Sequence, residues 1–155
     1  MKSVLDYVRQ PQTEAVDLTD SLPSASVVVT DQERRILLIR GESDTGWRFP
    51  GAFPASGETF EEAVRRELAH DSGVEIGELE LLGVCSGPDY FHVSPGGCRV
   101  FAVTAVYTAR IICRGQADLP FFPLADLPLD IQPAERPVLA AYVTALSRLD
   151  ISSAA

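Results

Sequence analysis

The spacing of apolar and polar positions divides the chain into short extended pieces around two amphipathic segments. Ala25–Thr30 (ASVVVT) is apolar and β-branched, as a buried strand requires. Arg35–Arg40 (RILLIR) follows it after the polar run Asp31–Arg34, so the two predict a hairpin. Gly41–Gly46 predicts a loop. Trp47–Pro50 (WRFP) predicts an extended piece, because proline disfavours helical geometry in the residue before it. Glu78–Cys85 (ELELLGVC), Arg99–Ile112 (RVFAVTAVYTARII) and the shorter Leu119–Phe122 (LPFF) predict three further strands.

Over Thr59–Asp71 the period changes. Phe60, Ala63, Val64 and Leu68 fall on one helical face. Thr59 with Glu62 three residues later forms a capping box, and Gly73 sits where a helix-ending glycine belongs. From Ala134 onward, Val138, Leu139, Tyr142, Val143 and Leu146 give a second amphipathic helix. A short helix over Ser3–Arg9 and a frayed ISSAA end complete the expectation. Strands mixed with two helices predict an α/β sandwich built on a mixed sheet. A length of 155 residues suits one domain, with an N-terminal extension over about 1–23, a core over 24–149 and a tail over 150–155.

Composition narrows the function classes. A net charge of -9 and a pI near 4.6 argue against a nucleic-acid polymer or an anionic membrane as partner, although a bound cation can still admit a small anionic molecule. No run of about eighteen apolar residues is present, which predicts no membrane-spanning helix. The first residues carry acids and no apolar core, unlike a secretory leader. Cys85, Cys98 and Cys113 are odd in number and widely spaced, which predicts reduced, mostly buried thiols, a cytoplasmic setting and no zinc site. There is no GxGxxG after a strand, no GxxxxGK[ST] and no GxSxG.

The candidate chemistry lies at the end of the first helix. Relative to Glu67, His70 is displaced by about -60° around the axis and Asp71 by about +40°, so the three share one face. Two carboxylates and an imidazole on one arc form a possible divalent-cation site. The competing reading is a solvated acidic face, with His70 complementing the dipole at the helix end. Glu58 in the preceding loop GAFPASGE and Arg66 in the helix have opposite charges, which suits an ion pair holding loop to helix.

These residues resemble the Nudix box, G-x5-E-x7-R-E-U-x-E-E-x-G-U with U aliphatic, at Glu58, Arg66, Glu67, Leu68, Gly73 and Val74. The segments WRFPGAF, LELLGVCSGPDYF and LPFFPLADLP are similar to the family's flanks, and the resemblance runs from about Ser24 to Val143. It implies a Nudix-type α/β/α sandwich. It also implies Glu67, His70 and Asp71 as catalytic and metal-binding residues for magnesium or manganese, with Glu58 and Arg66 in support. Three positions depart from the family: Ala52 replaces the second glycine, and His70–Asp71 replaces the Glu-Glu pair. A further acid present in many relatives has Asp118 as its candidate here.

The resemblance therefore implies a cytoplasmic hydrolase of a nucleoside diphosphate linked to another group, with a homodimer expected by analogy. Arg40, Trp47, Arg48 and Tyr90 are the expected substrate contacts, with Phe91 and Phe101 as further rings able to stack on a base. Core packing is the alternative role for each ring. The second reading is a Nudix-fold protein without diphosphate hydrolysis, either a ligand-binding regulator or the catalyst of a different acid–base reaction at His70.

Overall fold

In a computed structural model, residues 21–40, 46–93, 99–115 and 118–153 are described. The expected helix over residues 3–9, the loop at 41–45 and Cys98 lie outside them. The sheet is organised on one long strand, β9 (Arg99–Cys113). On one side it runs parallel to β1 (Leu22–Thr30), in register from Leu22↔Ala102 to Thr30↔Arg110. On its other side three shorter strands lie end to end and antiparallel to it: β6 (Glu75–Ile76), β7 (Glu80–Cys85) and β8 (Phe91–Val93). Beyond β1 come β2 (Ile36–Leu37) and then β10 (Phe121–Phe122), both antiparallel, while β5 (Gly51–Ala52) pairs with the other end of β1. The parallel β1–β9 pair among antiparallel neighbours makes the sheet mixed, as expected.

Alternation along β1 separates two cores. Val27 and Val29 face α1 (Phe60–Ser72), where Ala63, Val64 and Leu68 pack with Ala105, Tyr107 and Ala109. Val28 faces the opposite way, toward α2 (Arg136–Ser153), whose Val138 and Tyr142 pack with Ile36, Leu38, Phe49 and Val106. Helices on both faces give the α/β/α sandwich.

Two local expectations need correction, and a third is refined. The RILLIR segment is not one strand: Ile36–Leu37 joins the main sheet, whereas β3 (Ile39–Arg40) pairs with β4 (Trp47–Arg48) in a separate ribbon. Between them the Leu38 N–H donates to the Pro120 carbonyl at 3.3 Å, so the backbone changes partner there. The ISSAA tail is helical through Ser153, whose Oγ donates to the carbonyls of Leu149 and Asp150 at 3.1 Å each. The thiols are not uniformly buried either, for Cys85 is buried but Cys113 is exposed at the end of β9. Among the described residues no helix is long and apolar enough to cross a membrane.

The turn between β1 and β2 is organised by a buried acid. Asp31 accepts from the backbone N–H groups of Glu33 and Arg35 at 3.0 and 2.9 Å, from Arg35 Nε at 2.9 Å and from Arg114 Nη2 at 3.0 Å. These donors outweigh the burial that opposes its charge, and the carboxyl is held below its ordinary range.

Candidate functional site

α1 is positioned by local and long-range ties. Thr59 Oγ1 accepts from the Glu62 N–H at 3.1 Å, and Glu62 returns the bond to the Thr59 N–H at 2.8 Å, completing the expected capping box. Gly73 ends the helix at φ 65°, a left-handed conformation that glycine adopts without a Cβ clash. Arg65 donates to the carbonyls of Ile76 and Gly77 at 2.7 Å each, and Tyr107 Oη donates to Glu61 at 3.1 Å. The helix is thereby fixed over the sheet by charged and polar contacts on both flanks.

The loop preceding α1 is held by Arg66. Its Nε and Nη2 form a two-pronged pair with Glu58, at 2.7 Å to Oε1 and 3.0 Å to Oε2. Nη2 also reaches the Phe53 carbonyl at 3.3 Å, and Nη1 pairs with the Glu67 carboxylate. A planar guanidinium can satisfy all of these at once, which a lysine cannot. Glu58 in turn accepts from the Ala55 N–H at 2.8 Å. The Arg66 hydrogen bonds, followed by the Ala55 N–H, hold the Glu58 carboxyl at about 2, while Glu58 and Glu67 push the guanidinium further up. Upstream, a Cβ on Gly51 would lie 2.8 Å from the Ala25 carbonyl oxygen, so that close approach requires glycine, whereas Ala52 is accommodated and buried.

The three predicted ligands take separate partners. Glu67 turns to Arg66 and is 35% exposed, whereas His70 Nδ1 and Asp71 Oδ1 bond each other at 3.0 Å with 84% and 51% exposure. Among the described residues no three acid, histidine or cysteine side chains are gathered as a metal cluster. Glu67 and Asp71 nevertheless present carboxylates one turn apart on an open helix face, which fits a cation held by one or two carboxylates, water and substrate phosphate. His70 fits such a hard cation less well, since nitrogen is a softer donor than carboxylate oxygen. Asp118 is exposed and belongs to no such group.

The expected substrate contacts divide in the same way. Trp47 is packed edge-on against Phe122 with centroids 5.0 Å apart, and the Arg40 guanidinium lies 4.6 Å over its ring. Arg40 also pairs with Asp130. Arg48, Tyr90 and Phe91 are half-buried and Phe101 is 37% exposed, with Arg99 lying 4.6 Å over the Phe91 ring. Tyr90 bonds Cys85, and with burial this raises its phenol above the ordinary value.

Two elements escaped sequence reading. The Phe53 carbonyl and the Ala55 N–H are backbone groups without a residue-type signature. Glu135 lies in the polar run AER and is buried, its Oε2 accepting from the Phe49 N–H at 3.2 Å.

The comparisons with known proteins agree with this architecture. The NUDIX domain family model matches residues 20–142. A MutT-like protein of Streptomyces ambofaciens is 33% identical over 81 residues, covering 52% of each chain. An ADP-ribose pyrophosphatase of Methanocaldococcus jannaschii is 38% identical over 64 residues, covering 39% of this chain and 38% of its own. The match thus spans about half or less of the curated relatives' length. Among solved structures, a MutT NUDIX hydrolase of Burkholderia pseudomallei superposes with a TM-score of 0.63 at 26% identity, covering 79% of this chain and 98% of that one. With the fold, the Arg66-centred loop and a family match over most of its length, the chain belongs to the NUDIX domain family.

Proposed function

We propose that this protein is a divalent-cation-dependent hydrolase of small nucleotide-type diphosphates, with Glu67 as its central catalytic carboxylate. The observation that carries the reading is the Arg66 fork, which fixes Glu58, the Phe53 carbonyl and Glu67 in one unit. Glu67 and Asp71 would hold magnesium or manganese, which when bound neutralises diphosphate charge and acidifies a bound water. The chain's own part is orientation. Arg66 restricts the Glu67 carboxylate to a narrow set of positions, and Glu58 keeps the loop against the helix, so an attacking water and a diphosphate meet a preorganised acceptor. Glu67 would take the proton from that water as its oxygen bonds to phosphorus and the bond from that phosphorus to the bridging oxygen breaks, the other phosphate leaving with its attached group. The named activity of the ADP-ribose pyrophosphatase relative supports a nucleoside diphosphate joined to a second group as the substrate class.

The test is product release from nucleotide sugars, dinucleotides and ADP-ribose, each with magnesium, manganese or chelator. Turnover with a cation and none with chelator is the expected result. No turnover on any of them with either metal removes the hydrolase reading.

One observation favours the second reading, a fold retained for binding or for another acid–base reaction. His70 bonds Asp71 and faces solvent instead of joining Glu67. Replacing His70 by glutamate separates the two. On the hydrolase reading His70→Glu tightens apparent metal affinity, on the order of tenfold, and raises turnover. A fall in turnover would assign the imidazole a dedicated role.

A further inference from the structure

Two acids are buried among the described residues, and they are treated differently. Asp31 is surrounded by arginines and N–H donors. The carboxylate of Glu135, in the 3-10 turn Pro133–Glu135 before α2, accepts a hydrogen bond from the Phe49 N–H at Oε2. Glu135 also lines a cavity of about 20 Å³, room for roughly one water. Burial is the largest influence on its proton affinity and raises it, to about 7, against the Phe49 N–H and the charge of Arg48.

We propose that Glu135 is a positioning residue whose protonation state sets how firmly the Trp47–Ala52 segment, and with it the loop before α1, is held. The segment is tied to the turn before α2 at every other residue. The Trp47 N–H donates to Asp130 O, the Gln132 N–H donates to Trp47 O, both at 2.9 Å, and the Phe49 N–H donates to Glu135. One residue on, Pro50 O accepts from the Val27 N–H at 2.9 Å, and Gly51–Ala52 pair with β1. Phe53, whose carbonyl meets Arg66, comes next. Of these ties only the Phe49 bond ends on a titratable group. An ionised carboxylate makes a bond roughly twice as strong as a neutral one, so gaining a proton loosens this tie alone.

The titratable and charged groups facing Glu135 are few. Arg48 acts on it from β4, and Cys85 from β7 and Tyr90 before β8 line the same cavity. β1 and β9 contribute the hydroxyls of Ser26 and Thr104, and α2 contributes Val138. Among these described residues, Arg48 is the cation that acts on the carboxylate.

Trp47 is the single tryptophan of the chain and lies two residues from the bond, so its emission reports on the segment without any assay of hydrolysis. In the full chain, Trp47 fluorescence is expected to titrate with a midpoint of about 7. In Glu135→Gln that transition is expected to vanish, the spectrum matching the wild type at low pH. A transition that survives in Glu135→Gln, or a flat wild-type curve, overturns the proposal. Should that variant not fold, the Phe49 amide resonance of the wild type decides: it must shift with the same midpoint, and an amide that does not titrate overturns the proposal too. The kinetic consequence rests on the hydrolase reading, with kcat gaining a limb near that midpoint while KM stays level. Absence of hydrolysis would count against that reading alone and leaves the fluorescence result standing.

Discussion

Glu67→Gln is expected to lower cation-dependent diphosphate hydrolysis by about 10²- to 10⁴-fold while leaving the fold intact. The substitution keeps the size and hydrogen-bonding reach of the side chain and removes only its charge and its ability to take a proton. Arg66 trades one charged partner for a neutral amide oxygen and keeps both oxygens of Glu58 and the Phe53 carbonyl, so the loop remains anchored. Glu67 is partly exposed and packs in no core cluster, which is why its loss is expected in kcat and not in Tm. Steady-state rates with manganese, beside a thermal melt, check both halves. Turnover within a few-fold of wild type would mean that the proton goes elsewhere and that the helix end is an acidic surface.

Asp31→Ala is expected to act the other way, destabilising the fold by about 3 kcal/mol with little direct effect on chemistry. Asp31 is far from being a surface acid, since its side chain is 1% exposed and two arginines and two backbone N–H groups converge on it. Removing it leaves those N–H groups unsatisfied in the turn that connects β1 to β2, and frees Arg114 at the end of β9. For a chain of this length the loss corresponds to a Tm lowered by roughly 10 °C, read by calorimetry.

The two buried acids also give opposite pH dependences. Asp31 has a lowered pKa, so its contribution is complete above its unfolded value of 3.8 and disappears as the pH falls further. Glu135 has a raised pKa, so the contribution of its neutral form is complete below its unfolded value of 4.5 and is lost as the pH rises through about 7. The second effect amounts to about 3 kcal/mol across that interval. A stability profile that declines from mildly acidic to neutral pH, and flattens in Glu135→Gln, is the expected signature.

Local chemistry was readable along the chain where a residue's role depends on its near neighbours. Thr59 and Glu62 cap the same turn they predict, Gly73 adopts the left-handed conformation its position implies, and Ala25–Thr30 lies in the buried strand its β-branched run predicts. The Glu58–Arg66 pair was readable too, because opposite charges eight residues apart span one loop-to-helix junction. Helical arithmetic placed Glu67, His70 and Asp71 on one arc, but an arc fixes direction and not rotamer. Arg66 drew Glu67 aside, and His70 found Asp71.

By itself, then, the sequence determined the longer strands, the capped helix, the family resemblance and the residue set at the helix end, since these follow from periodicity, capping and short-range charge. Only the tertiary structure decided that RILLIR divides between two sheets, that Trp47 packs against Phe122, and that Glu135 is buried in the turn before α2 against the Phe49 N–H. The reason is physical. Burial and hydrogen-bond partners 86 residues apart arise from how separate elements pack, and no local pattern of polarity carries that information.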